Sequence, residues 1–469
     1  MPGVDGITHE AAALFRFVES IKAFCSSQSG FAAYYPEGSR DFLCYVEQLA
    51  DCTKAYLEAC PKNVPSNHTE YRVYRQGLRT LRLAWHYVHR VVKPVADAHT
   101  LHLPASLIDS LQTRLRSIPH FAGSKLVILH IRELNYLQVF AGNIQRKLTE
   151  IADLVAFSKP FPQKLGLIGI PYSQAKSVFT NSLVAHEIGH FAFEAMKYRD
   201  VFAPKITVAL DTAIKPVIDK FQTDEARRMV PGAITSWFEE LFCDLFAVAL
   251  VGPCYSYAFT EIFDLSSHLD IDSKINLKFA APQLLFNHSH PAHFYRLQKQ
   301  AEMLSKLGWW SRIETSKCDS QTILARCREL PSSSFSFPFS GAPQKCFIEA
   351  LDLLMAELIS AVQECTSGLD HGLSDYESKL SNKVLECFVR GIVPSAIVNP
   401  TSGKPVGLVT VLNVAYNIYL EHLHELLERI VGQNAMSAKD RTWWTEKLEQ
   451  WTLKALGDIA LISAKATGA

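Results

Sequence analysis

The chain is 469 residues long, enough for two to four domains or one large one. Hydrophobic residues make up 48% and charged residues 20%, which excludes wholesale disorder. Lys plus Arg and Asp plus Glu each total 47, so no global basic surplus exists to hold a nucleic-acid backbone or an anionic membrane.

The first stretch, MPGVDGITHEAAALF, carries Asp5 and Glu10 and lacks the basic start of a signal peptide. Amphipathic patterns then predict helices over 10–25, 40–60, 70–92 and 105–118, separated by Gly, Pro, Ser and Asn clusters. In the third, Leu78, Leu81, Leu83, Trp85 and Val88 form the apolar side, and the nearby His86 and His89 read as structural histidines. The pattern changes at KLVILHIRE (125–133) and KLGLIGI (164–170), which predict two strands, the second ended by Pro171. A long helix is expected from there to about Met196. Further helices are expected from about Ala233 to Leu250, stopped by Gly252-Pro253, and from Pro291 to about Leu307. PSSSFSFPFSGAP (331–343) reads as a linker, followed by helices at 346–364, 376–389, 408–431 and 442–464, with a loop at 399–407.

The expected architecture is mainly α, of α+β type, with a small sheet beside the middle helices. It has an N-terminal helical region (1–120), a central core (121–310), a linker (311–345) and a C-terminal helical region (346–469). The longest strongly apolar run, near Leu245–Val251, falls far short of the ~20 residues of a spanning helix, so no membrane span is expected. The eleven cysteines are scattered, odd in number and without a C-x-x-C pair. That usage points to free thiols in a reducing compartment, hence a cytoplasmic location.

The chemistry gathers in the core. Residues 182–193, SLVAHEIGHFAF, contain His186-Glu187-Ile188-Gly189-His190, an H-E-x-x-H motif. Residues four apart on a helix share a face, so both imidazoles can reach one cation. Zinc accepts neutral imidazole nitrogen at ~2.0–2.1 Å, and Glu187 can serve a water at the site as general base. The helix is apolar nearly all round, so it should be buried, and a metal gives its buried polar groups a common partner.

A third ligand is needed. The metzincin continuation would place Gly at 193 and His at 196, where this chain has Phe193 and Met196. The later helix TSWFEELFCDLFAVAL (235–250) instead offers Glu240-x-x-x-Asp244. Glu240 is the expected ligand, and Asp244, on the same face, the acceptor of the second N–H of a ligating imidazole, His186. Glu239, five positions from Asp244 and about 140° away around the helix, fits the pair less well. Cys243 is read as core packing rather than as an inhibitory thiolate at the metal.

These two motifs resemble those of the gluzincin metallopeptidases. The 50-residue interval between His190 and Glu240 is similar to that of the HtpX-like and CaaX-prenyl-protease branch, although that branch is membrane-embedded. His288-Ser-His-Pro-Ala-His-Phe-Tyr-Arg296 resembles its His-Pro segment. The resemblance implies a zincin-like metallopeptidase core holding Zn2+ through His186, His190 and Glu240. Glu187 would be its general base, and His290 or Arg296 would lie near the cleft to stabilise an oxyanion. The strand at 165–170 would form the cleft edge and pair with an extended protein or peptide substrate. The alternatives are a non-catalytic interaction or regulatory protein retaining this core, and hydrolysis of a non-peptide substrate. Oligomeric state is left open by the sequence.

Overall fold

The computed structural model describes residues 4–29, 35–60, 67–98, 104–131, 137–139, 141–159, 164–171, 177–216, 224–265, 290–313, 318–332, 342–371, 373, 379–398, 403, 405–422 and 438–467. Outside them lie residues 132–133 of the first expected strand, 172–176 of the expected long helix, 333–341 of the Pro- and Ser-rich segment, 376–378 and 423–431 of the later expected helices, and 399–402 and 404 of the expected loop. Asp319–Glu329, within the linker expected over 311–345, is helical. The described chain is mainly helical with one small sheet. It divides into two compact units, Met1–Gln112 with Phe121–Lys176, and Thr113–His120 with Ser177–Ala469. The strands therefore group with the N-terminal helices, while the C-terminal helices share a unit with the H-E-x-x-H motif.

The first unit holds α1 (Val4–Ser29), α2 (Glu37–Ala59), α3 (His68–Ala96) and most of α4 (Ala105–Arg116). Then come β1 (Lys125–Ile131), β2 (Leu137–Val139), α5 (Ala141–Leu154) and β3 (Leu165–Pro171). Val18 and Ile21 of α1, Val46 and Leu49 of α2, Leu81 and Trp85 of α3, and Ile144 and Leu148 of α5 bury one core against Val127 and Leu167 of the sheet. His86 and His89 pack their rings on Phe17, with centroids 4.5 and 5.4 Å apart.

The sheet order is β1-β3-β2, with β1 parallel and β2 antiparallel to β3. Every residue of β3 is buried, which explains why its sequence is a continuous apolar run rather than an alternating one. The sequence placed this strand at a cleft edge; it is instead the central strand. β1 pairs along all of β3 on one side, and β2 pairs with Leu167–Gly169 on the other. The far edge of β1 is also occupied: the Leu126 N–H donates to Gln112 Oε1 at 2.7 Å, and the Ile128 N–H to Ser39 Oγ at 2.9 Å.

In the second unit a short 3-10 turn, Thr180–Leu183, leads into α6 (Val184–Ala195), which starts later than the sequence suggested. It is followed by α7 (Tyr198–Ala209), α8 (Asp224–Val251), α9 (Pro253–Ile262), α10 (His293–Lys306), α11 (Trp310–Ile313), α12 (Asp319–Glu329) and α13 (Ala342–Cys365). α14 (Leu380–Val389), α15 (Leu408–Asn417) and α16 (Ala438–Thr467) complete it. α8 begins well before Ala233 and runs through Pro231, because Val230 and Ile234 on either side of the proline are fully buried and hold the helix.

α8 is the centre of this unit, packed on α6, α7, α9, α10, α13 and α15. A helix surrounded in this way must be apolar on nearly every side, and Phe238, Leu241, Phe242, Leu245, Phe246 and Val248 are all buried. At its C-terminus Gly252 takes φ +76°, a left-handed conformation that turns the chain into α9. Asn413 of α15 clasps this corner, accepting from the Cys254 N–H at 2.8 Å and donating to the Val251 carbonyl at 2.8 Å. No helix among the described residues is long and apolar enough to cross a membrane, and all eleven cysteines are free.

α6 and α8 approach most tightly at Gly189, where a Cβ would lie 2.7 Å from the Cα and 3.0 Å from the Cβ of Cys243. Gly189→Ala gains about 1 kcal/mol of helix propensity but overpacks a backbone contact, at about 1–3 kcal/mol. Urea unfolding should show a net loss of stability of up to about 2 kcal/mol; an unchanged or higher midpoint would contradict the tight crossing.

Candidate metal centre

His186 and His190 stand one turn apart on α6, facing Glu239, Glu240, Cys243 and Asp244 of α8. The Glu240 carboxylate lies between the imidazoles: His186 Nε2 is 3.2 Å from Oε2 and His190 Nε2 is 3.4 Å from Oε1. Glu240 is 5% exposed, and its Oε2 makes no well-formed hydrogen bond, although His186 Nε2, His290 Nε2 and Arg296 Nη2 lie 3.2, 3.3 and 3.5 Å away. Two imidazole nitrogens beside a buried carboxylate with an unsatisfied oxygen are donors that suit a cation.

The opposite ring nitrogens are held from behind. His186 Nδ1 lies 2.9 Å from Asp244 Oδ1, and His190 Nδ1 lies 3.1 Å from Glu239 Oε1. Each pairing leaves Nε2 as the nitrogen turned towards Glu240. Glu239 is anchored in turn by Arg199, whose Nη2 donates to Oε2 at 2.6 Å. The neighbouring residues Glu239 and Glu240 point about 100° apart on α8. That angle lets one face Nε2 and the other Nδ1 of the same imidazole.

Asp244 is fully buried and heavily bonded. Arg296 of α10 donates to it twice, Nε to Oδ2 at 2.7 Å and Nη2 to Oδ1 at 2.8 Å, and the Tyr255 hydroxyl donates to Oδ1. Burial alone would raise the Asp244 carboxyl, but Arg296 and His186 outweigh it and hold the group well below the usual carboxylate range. Glu240 is depressed in the same way, against its burial, by His186, His190 and Arg296. Burial would lower His186, and the Asp244 and Glu240 carboxylates overcome it and raise the imidazole.

The residues singled out in the sequence thus come together at one place, with differing surroundings. Arg296 is 3% exposed and commits two donors to Asp244, with Nη2 a further 3.5 Å from Glu240 Oε2. His290, with its side chain 48% exposed, places Nε2 3.3 Å from the same oxygen. Its companion His288 lies outside the described residues. Glu187 is buried at 7% exposure and makes no ion pair or hydrogen bond with the described residues.

Three members of the cluster escaped the sequence reading in part or entirely. Glu239 could be found from its place beside Glu240, once both sides of each imidazole are considered. Tyr255, stacked parallel to His186 with centroids 6.4 Å apart, carries no motif. Cys243 is fully buried, and its Sγ and a ring nitrogen of each of His186 and His190 lie within 4.8 Å of one another. Burial pushes its thiol up to about 12, against the pull of His190. Glu240 approaches both Nε2 atoms but is not among the donor atoms that all lie within 4.8 Å of one another, which come from His186, His190 and Cys243. No family model, curated protein or solved structure matches the chain.

Removing the Arg296 guanidinium leaves the Asp244 carboxylate buried without its main counter-charge. Arg296→Met should lose about 3–5 kcal/mol at neutral pH. Arg296→Lys should recover only part, since one ammonium cannot reproduce the forked pair. The depressed Asp244 carboxyl contributes stability above its ordinary value and loses it as pH falls through the depressed one. The gap between wild type and Arg296→Met should therefore narrow in acid, as read by urea unfolding across pH. A gap independent of pH would contradict the pairing.

Proposed function

We propose that this protein is a zinc-dependent peptidase that hydrolyses protein or peptide substrates in the cytoplasm, with a gluzincin-like metal centre. The observation that carries the reading is the buried Glu240 carboxylate facing both Nε2 atoms with one oxygen unsatisfied. Charge is consistent with it: Glu187, Glu240 and Asp244 are buried carboxylates beside one buried guanidinium, Arg296, and a divalent cation would take the place of the protons that these carboxylates draw to the imidazoles.

His186, His190 and Glu240 would hold the ion. Zinc, when bound, supplies a Lewis acid that makes water nucleophilic near neutral pH and polarises a carbonyl. The chain's own groups do the rest. Asp244 and Glu239 fix the two imidazoles in the orientation that presents Nε2. Arg296 and Tyr255 fix Asp244, so Arg296 acts as a positioning residue rather than as an oxyanion donor. Glu187, next to the first histidine and tied to no cation, takes the proton of the attacking water and returns it to the leaving amine. His290, half exposed beside Glu240, would donate to the oxyanion of the tetrahedral intermediate. The central position of β3 removes the expected strand as a substrate edge, so recognition rests on other surfaces.

Glu187→Gln keeps the shape of the general base and removes its basicity. It should retain zinc at the wild-type ratio and lose hydrolysis of a peptide library by about 10²–10⁴-fold. Metal analysis beside cleavage profiling reads both, and a Gln variant that cleaves as fast as wild type would falsify the mechanism.

A further inference from the structure

The donor set is larger than catalysis needs. A catalytic zinc site keeps three protein ligands and an open position, whereas four protein ligands make a closed site. A further donor, the Cys243 thiol, has its Sγ within 4.8 Å of a ring nitrogen of each of His186 and His190, the imidazoles whose Nε2 atoms Glu240 approaches. Cys243 lies three residues after Glu240 on α8, and residues so spaced share a helix face. Its backbone is pinned by the Gly189 contact, so the thiol stays level with the H-E-x-x-H turn. Thiolate is the softest donor in the cluster and binds zinc at ~2.3 Å, against ~2.0–2.1 Å for imidazole. Ligands at those lengths around a tetrahedral ion sit about 3.3–3.6 Å apart, so binding would draw the imidazole and thiol donors, now within 4.8 Å of one another, together by side-chain rotation.

We propose that Cys243 is a fourth, displaceable ligand, so that the resting centre is closed by two imidazoles, a carboxylate and a thiolate, and is latent. The inference rests on the metal-site reading and replaces the view of Cys243 as core packing. On closing, the sulfur–metal bond forms and the thiol proton passes to solvent. On opening, that bond breaks, water or a substrate carbonyl oxygen takes the position, and the sulfur regains a proton. Since Cys243 and Glu240 belong to one helix, opening requires rotation of the cysteine side chain rather than departure of a loop. Cys243 is fully buried, which keeps bulky thiol reagents from it.

Cobalt(II) substitution of the full-length chain tests this without reference to activity. The wild-type protein should show the visible bands of four-coordinate cobalt together with an intense near-ultraviolet sulfur-to-cobalt band. Cys243→Ala should keep the visible bands and lose the near-ultraviolet one, with Cys243→Ser as the second variant should Ala fold poorly. Four-coordinate cobalt without the sulfur band in wild type would overturn the fourth ligand and leave the His186–His190–Glu240 centre standing. A sulfur band that persists in Cys243→Ala would come from another cysteine and would equally overturn it. Failure of the wild-type chain to take up cobalt or zinc would remove both the centre and its fourth ligand.

Discussion

The forked bond between Arg296 and Asp244 is the interaction on which the second unit turns. Both groups are buried, and neither is tolerable there alone. Together they make a neutral base on which His186 and Tyr255 rest, and they join α10 to α8 at the level of α6. An imidazole held only by apolar neighbours could rotate and change tautomer. One held by a carboxylate that is itself held by a planar guanidinium cannot do so without breaking several bonds at once. The reach of the arrangement comes from its sequence of supports, each fixing the next.

The second requirement is close approach. Helices with ordinary side chains at their contact run 8–10 Å apart, and short carboxylate and thiol side chains need the nearer end of that range to meet the facing imidazoles. Gly189, the fourth residue of H-E-x-x-H, permits it by offering no side chain towards Cys243. The unspecified positions of that motif therefore matter here, because one of them sets the separation of two helices.

Much of the site was legible because it is periodic. His186 with His190, and Glu240 with Asp244, are pairs one turn apart, and helical geometry alone places each pair on a common face. The same geometry understated Glu239, since it asks which residues share a face and not which residues straddle an imidazole. Tyr255 could not be anticipated, for its role depends on the corner at Gly252 returning α9 beside α6. Among the larger elements, the four N-terminal helices and both longer strands follow from their apolar patterns. β2 is only three residues long and left no pattern, yet its pairing makes β3 central. The buried run of β3 fitted a central or an edge position equally well, and only the register decides between them.

The clasp of Asn413 on the end of α8 ties the centre to a segment more than a hundred residues further along the chain. A protease that trimmed the C-terminal helices would therefore not leave a smaller unit with the cluster intact. It would uncap the helix that carries Glu240 and Asp244, uncover apolar surface along it and let the donor set drift apart. Limited proteolysis in this region would dismantle the cluster rather than expose it.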